Sequence, residues 1–151
     1  MKINFHLSWL KSGSQISKAF KMPAAFSLFS EYIQRIERFT PCKVGGPIGA
    51  DIKKPGSKIW VCHRPGGKTI SSEEIASALS LLQNSSIREL HLAIGGPDGF
   101  SKEELEELKP DLKWSFGPMT LPHELAAVVA SEQIYRAWTI LRNMPYHFGH
   151  E

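Results

Sequence analysis

The chain has 151 residues, 42% of them hydrophobic and 22% charged, which suits one domain over residues 1–151 with a real core and argues against disorder. No apolar run approaches the roughly 18 to 20 residues that span a bilayer, so no membrane segment is expected. Net charge is +3, but residues 1–68 carry twelve basic against three acidic side chains, while residues 69–151 carry six against twelve. A basic surface that meets a polyanion and a scatter of solvated lysines both fit this asymmetry.

Residues 2–9 alternate Ile3, Phe5, Leu7 and Trp9 with polar neighbours, the period of a strand. Asn4, His6 and Ser8 interrupt the apolar residues, so the segment reads as a strand and not as a signal peptide. Residues 24–39 place Phe26, Phe29, Ile33, Ile36 and Phe39 at helical spacing. A Gly- and Pro-rich stretch follows, with room for a short strand around Cys42 to Val44. "KIWVCH" is a strand ended by the turn cluster "RPGGK". Ser71 and Ser72 with Glu73 and Glu74 form a capping-box signal for a helix to about Gln83. "ELHLAIGG" is a strand running into a glycine turn, and residues 101–109 are a short acidic helix with Ser101 as N-cap. "LKWSFG" is the last strand, and "MTLPHELAAVVASEQIYRAW" opens a final helix that is apolar on almost every side. The alternation of strands and helices predicts an α/β fold, a parallel-rich sheet flanked by helices.

Three loops follow strands and would gather at the carboxyl ends of a parallel sheet, where ligands bind. They are "CHRPGGK" (62–68), "IGGPDG" (94–99) and "SFGPMTLP" (115–122). Backbone N–H and C=O groups there, walled by Ile94, Met119 and Leu121, suit a purine nucleoside better than a triphosphate. "IGGPDG" fits neither the dinucleotide fingerprint nor the P-loop, and by itself is more commonly a tight turn, with Asp98 as a turn residue. Cys42 and Cys62 have no metal-ligand spacing and read as reduced buried thiols, which points to the cytoplasm. His6, His63, His91, His123, His147 and His150 likewise make no metal pattern, so no metal is expected. His123 opens the last helix, in a capping, packing or catalytic role.

The segments "LAIGGPDGFS", "MTLPHELA", "EQIYRAWTI" and the terminal "PYH" resemble the bacterial pseudouridine N3-methyltransferases of large-subunit ribosomal RNA, in the SPOUT superfamily. "SEYIQRIERFTP" and "GGKTISSEEIA" resemble the more N-terminal parts of that family. The resemblance implies a C-terminal trefoil knot and S-adenosylmethionine (SAM) as methyl donor. The cofactor would be held by the backbone around His63 and Arg64, by Ile94, Gly95, Gly96 and Gly99, and by Phe116, Gly117, Pro118, Met119, Thr120, Leu121 and Pro122. It further implies a homodimer acting on ribosomal RNA or the assembled ribosome, each site completed near the subunit interface. The last helix would then be covered by the knot on one side and by the twin subunit on another. Arg136, Tyr146 and His147 would be the target-side residues; a helix-end ion pair and a loose tail are their plainer roles. A SPOUT enzyme with another RNA target, or an inactive knotted dimer that binds RNA, remain alternatives.

The chain departs from the family in places. Ala127 stands where the family has Arg, Met144 where it has His, and His63-Arg64 where it has Leu-Asp. The loss at 127 would remove an RNA contact of about 1–3 kcal/mol. A helix expected near 46–56 gives way to "GPIGADIKKPG", and the loop between residues 10 and 25 is longer and more basic.

Overall fold

The computed structural model describes residues 1–148. Six strands form one sheet in the order β2-β1-β5-β3-β6-β4. They are β1 (Lys2–Leu7), β2 (Cys42–Gly45), β3 (Ser57–Cys62), β4 (Lys68–Thr69), β5 (Glu89–Ile94) and β6 (Leu112–Ser115). Every pairing is parallel, so the sheet goes beyond the parallel-rich expectation. Five helices accompany it: α1 (Pro23–Glu37), α2 (Ser72–Asn84), α3 (Lys102–Leu108), α4 (His123–Leu141) and α5 (Pro145–Phe148).

A parallel sheet must be covered on both faces. Ile3, Phe5, Leu7, Trp60, Leu90, Leu92, Ile94 and Trp114 face the larger core, which α1, α2 and α4 close. Ile59, Val61 and Ala93 point the other way, against Phe100 and Leu108 of the α3 side. Full burial of side chains this size contributes about 1.5–3 kcal/mol each. The last helix thus finds its apolar partners within its own chain: α1 and α2 flank it, and all of its residues are buried or half-buried.

The capping boxes expected at Ser71 and Ser101 are both present, each serine accepting from the backbone N–H three residues on. α1 begins differently. Its N-cap Met22 offers no side-chain cap, and the buried Glu124 of α4 accepts from the backbone N–H groups of Lys21 and Met22. A carboxylate there complements the helix dipole and ties the loop before α1 to α4.

Four differences from the expectation have physical reasons. Trp9 lies beyond β1, in a turn where its Nε1 donates to Ala19 O. Phe39 lies past α1 and stacks on Trp138. β4 hides inside the "RPGGK" cluster because two exposed residues carry no alternation. The tail "PYHF" forms the short α5. Residues 46–56 hold only one turn of 3-10 helix, Ala50–Ile52.

β6 enters the sheet between β3 and β4, although those two are consecutive in sequence and joined only by residues 63–67. His63 N–H donates to Trp114 O at 2.9 Å. A Cβ on Gly67 would collide with the His63 carbonyl oxygen and sit 3.0 Å from Ser115 Cβ. Glycine at 67 therefore lets the 63–67 link close over the chain at Ser115.

Candidate functional site

The three loops expected to converge do so. β5, β3 and β6 are neighbours in the sheet, so residues following their carboxyl ends surround one cleft of about 640 Å³. His63 and Arg64 line it from the first loop, Ile94, Gly95, Gly96 and Gly99 from the second, and Thr120, Leu121 and Pro122 from the third. A smaller recess of about 110 Å³ shares His63, Arg64, Thr120 and Leu121 and adds Phe116 and Met119. Gly117 and Pro118 line neither space. They shape the bend instead: Gly117 has φ +104°, and its N–H donates to Ser115 Oγ.

"IGGPDG" is both a tight turn and a wall. Gly99 N–H donates to Gly96 O at 2.9 Å, and Gly99 has φ +69°. A Cβ on Gly95 would come within 2.9 Å of Gly99 Cα, so this position is closed to larger residues. Gly96 differs: a Cβ there would meet only Trp9 Cβ, at 3.8 Å. Its hydrogen leaves bare backbone facing the cleft.

The lining also includes residues not assigned to the cofactor from sequence: Cys62, Pro65, Pro97 and Asp98 within the loops already singled out, His123, whose role was left open, and Phe100 and Ala126. Most lie in or next to such a loop, so neighbourhood alone was the available signal. His123 packs edge-on against Trp9 at 4.5 Å between ring centroids. Burial first, then Lys113, hold the His63 imidazole below its ordinary pKa, which keeps it neutral at neutral pH. Burial pushes the Cys62 thiol up to about 12, so it is an unreactive thiol. Cys42 is likewise raised to about 12, by burial and then by Glu37.

Arg136, Tyr146 and His147 form a second cluster and none of them lines the cleft. Glu132, which sequence reasoning did not single out, organises it. Its carboxylate accepts from Arg136 Nη2 at 2.8 Å and from Tyr146 Oη at 2.6 Å. The Arg136 guanidinium lies 4.8 Å from the Tyr146 ring centroid. Arg136 Nη1 donates to His147 Nδ1 at 3.0 Å, which leaves the Nε2–H of His147 to donate to Glu73 at 2.6 Å. The i,i+4 spacing of Glu132 and Arg136 was legible as a helix pair. Burial, then its bond to Glu132, raises the Tyr146 hydroxyl far above its ordinary range, so it stays protonated. From His123 to Arg136 the helix runs about 20 Å at its standard rise.

Ala127 is fully buried in the larger core. The alanine present therefore packs within the core and offers no side chain to an RNA. Among the described residues no group of three potential metal ligands comes together; His150 lies outside them. No helix among them is long and apolar enough to cross a membrane.

The family model described as "Predicted SPOUT methyltransferase" matches residues 18–147. The chain belongs to the SPOUT methyltransferase family. Several proteins named Ribosomal RNA large subunit methyltransferase H are similar to this SPOUT chain over 85% of its length or more. That of Koribacter versatilis is 40% identical over 138 residues, covering 86% of this chain and 92% of its own. That of Deinococcus radiodurans is 36% identical over 137 residues, covering 85% and 92%. That of Coxiella burnetii is 35% identical over 154 residues, covering 93% and 91%. The solved structure of a candidate methyltransferase from Legionella pneumophila in complex with SAM aligns with 90% of this chain and 66% of its own. Its identity is 17% and its TM-score 0.46, too distant to carry an argument about the site.

Proposed function

We propose that this chain is a cytoplasmic SAM-dependent methyltransferase that modifies N3 of a pseudouridine in large-subunit ribosomal RNA, working as a homodimer of single-domain, trefoil-knotted protomers. The observation that carries the cofactor assignment is the cleft built from three loops at the carboxyl ends of β3, β5 and β6. Its volume falls in the range of small-ligand sites. Leu121 and Ala126 offer apolar surface to an adenine ring, with Ile94 buried behind the cleft wall, and the open backbone at Gly96 offers hydrogen-bonding groups. The residues present thus fit a nucleoside-bearing methyl donor. The passage of β6 between β3 and β4, beneath the Gly67 link, supports the knot. The relatives' printed name supports ribosomal RNA as substrate.

When bound, SAM supplies a methyl group already activated on a sulfonium. The protein's part is then mainly to place the acceptor base and to receive one proton. Arg136 carries the positive charge that would hold a base oxygen or phosphate, with Glu132 fixing its fork. Tyr146, protonated and held by Glu132, orients and does not take the proton. His147 is the proton acceptor in this reading, which requires its Nδ1 to part from Arg136.

The separation of about 20 Å between cleft and cluster along α4 supports the dimer. One protomer would offer its cleft and the other its Arg136, Tyr146 and His147, an arrangement that a two-fold axis repeats at both sites. Mass mapping of ribosomal RNA from a deletion strain tests the assignment: loss of N3-methyl-pseudouridine is expected, and its persistence would remove the target. Calorimetry with SAM separates an active enzyme from an inactive RNA binder, which would show no binding heat.

A further inference from the structure

We propose that the loop of residues 8–22, between β1 and α1, grips the phosphate backbone of the RNA beside the cleft through Lys11, Lys18 and Lys21. The proposal rests on the RNA methyltransferase reading and adds the surface that meets the RNA, which the cleft by itself does not provide.

The first observation is charge. The first 30 residues contain four lysines and no Asp or Glu; the earliest acidic residue is Glu31. Four of the nine other basic side chains in residues 1–68 are committed within the fold. Lys2 pairs with Glu89, Arg35 with Glu31 and Lys58 with Asp111. Lys53 donates to the carbonyls of Leu108 and Lys109 at the end of α3. Lys11, Lys18 and Lys21 are exposed and have no ion-pair partner among the described residues. Ser12, Ser14 and Ser17, also exposed, add hydroxyls between them.

The second observation is position. Trp9 at the root of the loop packs on His123, which lines the cleft, and would meet a Cβ at Gly96. At the other end, Lys21 and Met22 are bound through their N–H groups to Glu124 of α4. Arg64, exposed and also lining the cleft, adds a positive charge from the first loop. An acceptor base that reaches the cleft must bring its flanking phosphates to this rim, whichever protomer supplies the catalytic side chains.

The third observation is that the loop is built to hold this shape. Trp9 Nε1 donates to Ala19 O at 2.8 Å, and the buried Phe20 packs against Trp9, Phe26 and Phe29. Apart from the exposed Met22, its apolar residues serve this inner packing, while its exposed tip is lysine, serine, glycine and glutamine. A surface for a bilayer would present several large apolar anchors beside the lysines, where this loop exposes the single Met22. Small hydroxyls and spaced lysines fit phosphates.

The test is the triple variant Lys11→Gln, Lys18→Gln and Lys21→Gln, with ribosomes from a strain lacking this protein and with SAM. Each phosphate contact adds about 0.7 to 0.9 to the slope of log affinity against log salt. The variant should lose about 2 to 3 from that slope, and its KM for ribosomes at about 0.1 M salt should rise tenfold or more. Turnover at saturating ribosomes, calorimetric SAM affinity and melting temperature should match wild type. An unchanged slope and KM in the variant, with wild type active, overturns this proposal and leaves the methyltransferase reading standing. Weakened binding to phosphatidylserine vesicles with ribosome affinity intact also overturns it, in favour of a membrane surface. A wild-type protein that neither binds nor methylates these ribosomes sinks the underlying reading along with this one.

Discussion

Replacing Gly96 by Val separates the cleft from the fold that makes it. Gly96 lacks a positive φ, and the first atom added would touch only Trp9 Cβ, at an ordinary 3.8 Å. Stability should therefore change by no more than about 0.5 kcal/mol. The two methyl groups would occupy open space at a residue that lines the cleft and cover the backbone that SAM would approach. Expected is a loss of SAM affinity of about 10- to 100-fold, or about 1.4–2.8 kcal/mol. Gly95→Ala is the control with the opposite outcome. Its Cβ would lie 2.9 Å from Gly99 Cα and 3.0 Å from Gly99 C, both backbone atoms. Relief means opening the turn closed by Gly99 N–H on Gly96 O, at a cost of about 1–3 kcal/mol. Isothermal calorimetry with SAM and thermal melts read both quantities. If Gly96→Val binds SAM as wild type does, or if it melts as low as Gly95→Ala, the placement of the cofactor at this turn is wrong.

The remaining predictions concern the second cluster, the link and pH. His147→Ala should lower single-turnover methylation by about 100-fold or more with SAM affinity unchanged, and full activity would remove His147 from the chemistry. Glu132→Gln takes away the charge that Arg136 and Tyr146 share; turnover should fall at least about tenfold and stability by about 1–3 kcal/mol, and unchanged turnover would refute the positioning role. Gly67→Ala should destabilise the chain by about 2 kcal/mol or more because its Cβ meets the His63 carbonyl, and a denaturant midpoint equal to wild type would show that the link has slack. His6, beside His91 at 2.9 Å, is lowered from 6.5 to about 4, first by burial and then by His91. Its neutral form is favoured in the fold, so stability is fully present above pH 6.5 and declines as pH falls towards 4, by at most about 3 kcal/mol. Denaturation at pH 7.5, 5.5 and 4 should show a shallower decline in His6→Gln; an identical decline would relieve His6 of that role.

Much of the site was legible because each loop's neighbourhood is local. "KIWVCH", "ELHLAIGG" and "LKWSFG" announce strands, and the residues after a parallel strand have only one place to go. Other features were not legible because they depend on partners far away in sequence. Glu132 matters only once the tail folds back to Tyr146, and Glu124 caps a helix that begins a hundred residues earlier. That Ala127 is a fully buried core residue likewise depends on how α4 docks.

The sequence by itself determined the alternation of strands and helices, the capping serines, the loops that carry backbone to a ligand, and the uneven charge, since all of these follow from residue type and short-range spacing. Tertiary structure alone decided that β6 slips between β3 and β4, that Glu132 gathers Arg136 and Tyr146, and that these stand a helix-length from the cleft. Strand order and helix docking are set by long-range burial of apolar faces, which no local pattern encodes.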